Sequence, residues 1–156
     1  MDLKELKGDM PYKWKVQTAA PWGAMCVAYV DARQVMDKLD EIIGPGGWQT
    51  KYYTVKESLF CSIGIKIGEE WIWKSDIGTP SMTEKAKGEA SDAFKRAAVK
   101  WGVGRFLYSL EMITLPTFKN KKGKDVPVSG NTGKALSAEQ ISITCHVMTK
   151  GNTEVK

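Results

Sequence analysis

Apolar residues recur at helical spacing in two parts of the chain. In the first part they follow Asp31, a good N-cap, and predict a helix over Ala32–Ile43 that is ended by Gly44-Pro45-Gly46-Gly47. A second helix is predicted from Glu84 to Trp101 by a stripe of mostly small residues, Ala86, Ala90, Ala93, Phe94, Ala97 and Trp101. Small side chains on this stripe would let the helix pack closely against a sheet.

Period-two alternation predicts a three-stranded antiparallel β-meander between the two helices. Its strands are Trp48–Lys56, Leu59–Ile67 and Trp71–Ile77, and Gly68-Glu69 forms the turn between the last two. Shorter extended runs are predicted at Pro11–Val16, Ala24–Val30 and Met112–Leu115. The predicted fold class is therefore α+β, with a helix, a β-meander and a long helix packed on the sheet.

Both ends of the chain look less regular than its middle. Half of residues 1–10 are charged and this segment is expected to be frayed, so the folded domain is predicted to span 11–115. Residues 116–156 are rich in Lys, Gly and Asn and are expected to form a basic, partly flexible tail. Within this tail Ser137-x-x-Gln140 predicts the cap of a short helix over 137–148.

Composition excludes some classes of protein but does not identify a partner. The chain has 156 residues and a formal net charge of +5, and seven lysines stand against three carboxylates from Pro116 onward. The rest of the chain is thus almost neutral, and an anion site there requires a local cluster of Lys and Arg side chains. Three scattered cysteines without a C-x-x-C pair, no membrane-spanning apolar run and no signal peptide favour a cytoplasmic protein.

The signals for an enzyme are weak. Gly130-Asn-Thr-Gly133-Lys134 resembles a nucleotide-binding loop, but its spacing is short and Ala135 replaces the Ser or Thr that would hold magnesium. The single histidine, His146, makes a zinc site or a His-based triad improbable. The acidic pair Glu69-Glu70 lies at a hairpin turn, where solvated charge is the usual interpretation. We expect no catalytic activity, no cofactor and no metal.

The signals for nucleic-acid binding are stronger and lie mainly on the long helix. Its exposed flank carries a basic set, Lys85, Lys87, Lys95, Arg96 and Lys100, with Arg105 just past the Gly102-Val103-Gly104 break. An ordinary solvated surface with helix pairs such as Asp92–Arg96 or Lys85–Glu89 explains these charges equally well.

Two further features add to this interpretation. Arg33 lies in the first turn of its helix, where the helix dipole disfavours a cation. Tyr52 or Tyr53, next to Lys51, could stack on bases.

Two other kinds of binding protein remain open at this point. Ala97-Ala98 followed by Gly102-Val103 resembles the turn of a helix-turn-helix module for double-stranded DNA, although little chain follows for a recognition helix. A protein interaction scaffold without DNA binding is the other alternative.

Four motifs in order carry a resemblance to a known family. The segments Ala28-Tyr-Val-Asp-Ala-Arg33, Gly46-Gly47-Trp48, Asp76-Ile77-Gly78 and Ser91-Asp92-Ala93-Phe94-Lys95-Arg96-Ala97 lie within Val27–Leu115. Together they resemble the Rad52 family of single-strand annealing proteins, and in particular its bacterial DdrA-like and phage branch. Two residues depart from the family pattern. Pro45 stands in the glycine turn, where eukaryotic members have an aromatic residue. Val99 stands where a basic residue is expected, and Lys100 is the substitute for it.

The resemblance implies a function and a set of contacts. It implies ATP-independent binding and annealing of single-stranded DNA in recombination or repair, by a homo-oligomeric ring or helical array in the cytoplasm of a bacterium or a phage-infected host. Other recombination or single-strand-binding proteins are the implied partners. By the same resemblance Lys95, Arg96 and Arg33 contact the DNA backbone, and an outer site uses Lys66, Lys74, Lys85 and Lys87.

Overall fold

The computed structural model describes residues 1–80 and 85–154. In chain order the regular elements are β1 (Lys13–Ala20), β2 (Gly23–Tyr29), α1 (Ala32–Ile43), β3 (Trp48–Val55), β4 (Ser58–Ile67), β5 (Glu70–Ile77), α2 (Lys85–Trp101), β6 (Ile113–Leu115), β7 (Thr117–Lys119), β8 (Asp125–Pro127) and α3 (Ala138–Glu154). All the strand pairings are antiparallel within the described residues, which confirms the α+β class. The predicted start of the long helix at Glu84 lies outside the described residues.

The chain divides into two compact units, and each is discontinuous in sequence. The first unit comprises Met1–Pro11 and Val30–Ser109, and the second comprises Tyr12–Tyr29 and Leu110–Lys156. The first unit thus contains α1, the β3-β4-β5 meander and α2, which are the elements that the sequence pattern predicted most clearly.

The core of the first unit lies between α2 and the meander. Cys61, Ile63 and Ile65 of β4 are fully buried, and the indole Nε1 of Trp101 donates to the carbonyl oxygen of Ile63 at 3.0 Å. Of the predicted stripe on α2, the buried members are Ala93, Phe94, Ala97 and Trp101, and the neighbouring Ala98 is buried too. The predicted stripe is therefore confirmed in the C-terminal half of the helix, whereas Ala86 is exposed and Ala90 only half-buried.

Gly78 sits where α2 passes over the end of β5. A Cβ atom at this position would overlap the carbonyl oxygen of Glu89 and would lie 2.9 Å from the Cβ of Ala93. The helix can approach the sheet this closely only because the residue has no side chain.

The first helix forms for local reasons, as predicted. The Asp31 carboxylate accepts from the backbone N–H of Gln34 at 2.8 Å, and the Gln34 side chain accepts from the Asp31 N–H at 2.9 Å, so the two residues form a capping box. At the other end Gly44 takes a φ of +91°.

The prediction of a frayed N-terminus was wrong. Leu3–Lys7 form a 3-10 helix capped by Asp2, whose carboxylate accepts from the Lys4 N–H at 2.9 Å. Leu6 is fully buried and this short helix packs against α1. The charged residues around Leu6 concealed this anchor, since a single apolar position has no detectable period.

The helix-turn-helix alternative finds no support in the first unit. After α2 the chain turns through Gly102 and Gly104, with φ of +105° and +77°, and then forms the 3-10 helix Arg105–Ser109. The next regular element is strand β6. Five residues of 3-10 helix are too short to fill a major groove as a recognition helix does.

The second unit has a core of its own. Trp14, Cys26, Ile113, Leu115, Ile141 and Cys145 form a buried cluster between the β1-β2-β6 sheet and α3. The predicted cap of α3 is confirmed, because Ser137 and Gln140 exchange backbone and side-chain hydrogen bonds. The helix extends to Glu154, beyond the predicted 137–148, and β7 and β8 occupy part of the stretch that was expected to be flexible.

The weak enzyme signals in this unit have structural explanations. The Nε2 atom of His146 lies 3.1 Å from the carbonyl oxygen of Tyr12, and the two rings are in contact. In the loop that resembled a nucleotide-binding motif, the N–H groups of residues 131–134 bind oxygen atoms of Ser129 and Thr132. Those amides are engaged within the loop and do not form a phosphate cradle.

Candidate nucleic-acid interface

The meander presents two faces, on which the predicted site residues are divided. The strand register places Tyr52, Cys61 and Asp76 side by side, and the same register places Lys51, Ser62 and Ser75 on the opposite side. We call the side that carries Cys61 the proximal face, because α2 packs there. The side that carries Ser62 is called the distal face.

Arg96 lies on the exposed flank of α2, over the edge strand β5. Its Nη2 atom is 3.6 Å from Oδ1 of Asp76, and the Arg96 side chain is 45% exposed. The alternative pair with Asp92 was wrong, because the Asp92 carboxylate instead accepts from the Thr79 N–H at 2.9 Å. The Asp76 side chain is 21% exposed. Because solvent reaches both side chains, the pair contributes about 1 kcal/mol or less, and a phosphate can replace the carboxylate at little cost.

Two lysines continue this basic surface toward the end of α2. The Lys100 Nζ donates to the carbonyl oxygen of Ser75, and the Lys74 Nζ donates to the carbonyl oxygen of Lys100 at 3.3 Å. The Lys74 Nζ also lies 4.5 Å from the centre of the Trp101 ring. Each ammonium group has three N–H donors, so these contacts leave donors for a phosphate. We call Lys74, Arg96 and Lys100 the β5 strip.

Arg105 has a structural task in addition to any role in binding. Its Nε and Nη2 atoms donate to the carbonyl oxygen of Val99 at 3.1 and 2.9 Å, and Nη2 also donates to that of Lys100 at 3.0 Å. These carbonyls belong to the last turn of α2, where backbone acceptors have no partner within the helix and the dipole favours a cation. Arg105 thus caps the helix that carries the strip.

The remaining predicted cations lie elsewhere on the first unit. Lys95 is half-buried, next to Arg96 on α2, and Lys87 is exposed near the start of the same helix. Lys85 begins α2, and its side chain lies outside the described part of the chain. Arg33 is exposed in the first turn of α1. All the predicted contact residues therefore belong to the first unit.

Lys51, Tyr53 and Lys66 lie on the distal face, with aromatic neighbours. The Lys51 Nζ is 4.3 Å from the centre of the Trp73 ring, and Tyr53 stacks on Phe60 with ring centres 5.6 Å apart and planes 7° apart. The Ser62 hydroxyl donates to the Tyr53 hydroxyl at 3.3 Å, and hydrogen bonds from Ser62 and Ser75 lower the pKa of Tyr53.

The partial exposure of Trp71 and Trp73, which share the distal face with Lys51, was not expected from the sequence. The abundance of tryptophan in the chain favours a core position for Trp71 or Trp73, but both are only half-buried on the distal face, and the Trp73 ring lies over Gly64. The pattern did place them opposite Ile72 and Lys74. The residue that indicates the exposure of both tryptophans is Ser75, which lies on the same side of β5, because a buried face is seldom polar.

The described residues show no site for metal chemistry. They contain no group of three or more His, Cys, Asp or Glu side chains placed to hold a metal ion. In the same part of the chain no helix is long and apolar enough to cross a membrane.

Comparisons with known proteins agree with the ordered motifs. The family model described as Rad52/22 family double-strand break repair protein matches residues 3–125. A curated protein of Deinococcus radiodurans, named single-stranded DNA-binding protein DdrA, is 36% identical over 89 residues, which cover 56% of this chain and 42% of the relative. The DdrA of Deinococcus deserti is 34% identical over 89 residues, 56% of this chain and 44% of its own length.

The extent of each match differs. This chain spans less than half the length of the two curated relatives, so it is similar to a part of each of them. The family match, in contrast, includes the whole of α1, the meander and α2. On this match, the chain belongs to the Rad52/22 family of double-strand break repair proteins.

Proposed function

We propose that this protein binds single-stranded DNA and anneals complementary strands without a nucleotide cofactor, in recombination or repair. The observation that carries the proposal is the β5 strip on a family-matched fold, where Arg96 is exposed and is paired with the Asp76 carboxylate. The names of the DdrA relatives, which state single-stranded DNA binding, support the same ligand.

The proposed contacts follow the α2 surface. Lys95 and Arg96 hold the phosphate backbone together with Arg33, and Lys74 and Lys100 extend the contact along β5. Lys66, Lys85 and Lys87 contribute to an outer contact. Backbone contacts fix a strand without reading its sequence, and the bases then stay available for a complementary strand.

Annealing by this route involves no covalent step. Lysine and arginine side chains neutralise the repulsion between two phosphate backbones, and pairing of the bases supplies the free energy. Binding should weaken as salt rises, because each neutralised phosphate releases counterions. The expected slope of log K against log salt is about −0.7 for each phosphate contacted on a single strand.

We further propose that several copies assemble into a ring or helical array, with residues 11–115 as the annealing domain. A few cations on one small unit offer few phosphate contacts, and an array multiplies them through avidity. The site of action is the cytoplasm, where the three buried thiols stay reduced. Other recombination or single-strand-binding proteins are the proposed partners.

The direct test is an annealing assay with two complementary oligonucleotides, one carrying a fluorophore and the other a quencher. We expect the protein to accelerate quenching without ATP or a divalent metal, and to bind single strands more tightly than duplex. Mass photometry in the same buffer measures the assembly. Preferential binding to duplex, or an unchanged annealing rate at saturating protein, would contradict the proposal.

A further inference from the structure

The distal face has an unusual composition for a solvent-accessible sheet surface. Among the described strand residues that the register places there, none is acidic. The larger side chains are Lys51, Tyr53, Phe60, Lys66, Trp71 and Trp73. The proximal face carries carboxylates at Glu70 and Asp76, so the difference belongs to the face and not to the strands. A face with cations, aromatic rings and no carboxylate complements a polyanion that has flat apolar groups.

The geometry of the rings suits stacking. Trp71 and Trp73 have centres 6.3 Å apart and planes at 32°, and together with Lys51 over Trp73 they form one continuous patch. On the neighbouring strands Tyr53 lies almost parallel to Phe60 and is 42% exposed. A sheet surface with exposed aromatic rings is a common platform for unpaired bases, because every base has a π-face.

Lys51 distinguishes a nucleic acid from a protein as the occupant. Its ammonium group lies 4.3 Å from the Trp73 ring centre, so a partner that covered the Trp73 ring would also cover this charge. Lysine is depleted in the centre of protein interfaces, since burial there removes its hydration without a counter-charge. A phosphate beside a stacked base would supply that counter-charge.

We propose that the distal face is a base-stacking surface for single-stranded nucleic acid, in addition to the backbone contacts along α2. Tyr53 stacks on one base. A second base stacks on Trp73 when the exposed Lys51 side chain moves from the ring to a phosphate, and Lys66 contacts a neighbouring phosphate. The inference rests on the proposed function, since it assigns a second contact to the same ligand. It predicts that part of the binding affinity depends on the bases themselves. The cations of α2, which contact the backbone, do not supply this part.

The test compares two tyrosines that are adjacent in sequence and lie on opposite faces. Tyr53→Val removes a ring from the distal face, and Tyr52→Val removes one from the proximal face, where Tyr52 is 48% exposed. Both replacements keep a strand-forming residue on β3, an edge strand. Tyr53→Phe keeps the ring and removes only the hydroxyl. Fluorescence anisotropy measures the affinity of each variant for a labelled single strand and for an abasic strand with the same number of phosphates.

We expect Tyr53→Val to weaken binding to the base-carrying strand about fivefold or more and to leave the affinity for the abasic strand unchanged. Tyr52→Val and Tyr53→Phe should bind both strands like the wild type. Thermal melting of each variant verifies folding. If Tyr53→Val fails to fold, Lys51→Gln provides the test, and it should lower the salt slope by about 0.7.

Three results would overturn the inference, and they separate it from the proposed function. If the wild type binds single strands and folded Tyr53→Val binds equally well, only the stacking surface is wrong. Equal losses for Tyr52→Val and Tyr53→Val, or a loss of assembly without a base-dependent effect, indicate that another copy or a protein partner covers the face. If the wild type binds no single-stranded DNA, both proposals fail.

Discussion

Arg96 of α2 and Asp76 of β5 form an ion pair across the surface of the sheet, with Nη2 and Oδ1 3.6 Å apart. Asp76 also accepts a hydrogen bond from the Ile77 N–H at 2.7 Å, so its position is fixed by its own strand. A carboxylate at this distance orients the guanidinium but also competes with a phosphate for it. The pair therefore both positions Arg96 and limits its affinity for an anion.

The first prediction is that Asp76→Asn increases affinity for single-stranded DNA. The amide oxygen can still accept from Ile77, and the change should cost about 1 kcal/mol or less of folding stability because solvent reaches both side chains of the pair. We expect binding at low salt to tighten about two- to tenfold, which anisotropy titration measures. The control is Asp9→Asn, which makes the same change of charge at an exposed position elsewhere in the same unit. An equal gain in both variants would contradict a specific release of Arg96.

The second prediction concerns the contact between α2 and the sheet at Gly78. Gly78→Ala places a Cβ against the Glu89 backbone, which is not able to move without shifting the helix. We expect a loss of about 1–3 kcal/mol in the free energy of unfolding, measured by urea titration. Gly46→Ala is the control, because a Cβ there meets nothing within 4 Å. Similar losses at the two positions would show that glycine flexibility, and not the close approach, sets the effect.

The third prediction concerns the thiols. Burial raises the pKa of Cys61 to about 11 and that of Cys145 to about 12, and it also raises the pKa of Cys26. All three thiols are fully buried. We expect no alkylation by iodoacetamide at pH 8 in the native protein and complete alkylation in urea, measured by mass spectrometry. Rapid native labelling would show that one of the thiols is accessible.

The same pKa shifts predict how stability depends on pH. The neutral thiol is favoured in the folded state, so the contribution of these thiols to the free energy of unfolding is complete below the ordinary thiol pKa of 9.0. It is lost as the pH rises toward about 11 and 12, because the unfolded chain then releases protons that the folded chain retains. The unfolding free energy should therefore fall above pH 9, which urea titrations across this range would measure.

Local signals made much of the fold predictable. Asp31 and Gln34 define the start of α1 within four residues. The small residues Ala93 and Ala97 indicate close packing of α2 on the sheet. The alternation along β4 and β5 even assigned the faces of the strands. Each of these signals is contained in a short stretch of sequence, where propensity and period are informative.

Tertiary contacts explain what the sequence did not show. Asp92 is one helical turn from Arg96, but Arg96 pairs with Asp76 because α2 crosses the edge strand, and that crossing is fixed by the core. Leu6 is buried because α1 covers it, which no pattern around Leu6 reveals. The alternation could not tell which face of the meander α2 would cover, so it did not show that Trp73 lies on the uncovered face.

The measurement that tests the central claim most directly is the affinity of a Lys95→Ala/Arg96→Ala variant for a single-stranded oligonucleotide at physiological salt. The control is Lys4→Ala/Lys13→Ala, which removes two exposed charges that are not part of α2, and thermal melting verifies that both variants are folded. We predict at least a tenfold loss of affinity for the first variant, a salt slope lower by about 1.4, and near wild-type binding for the control. Unchanged affinity in the folded Lys95→Ala/Arg96→Ala variant would contradict the assignment of this helix as the DNA-binding element.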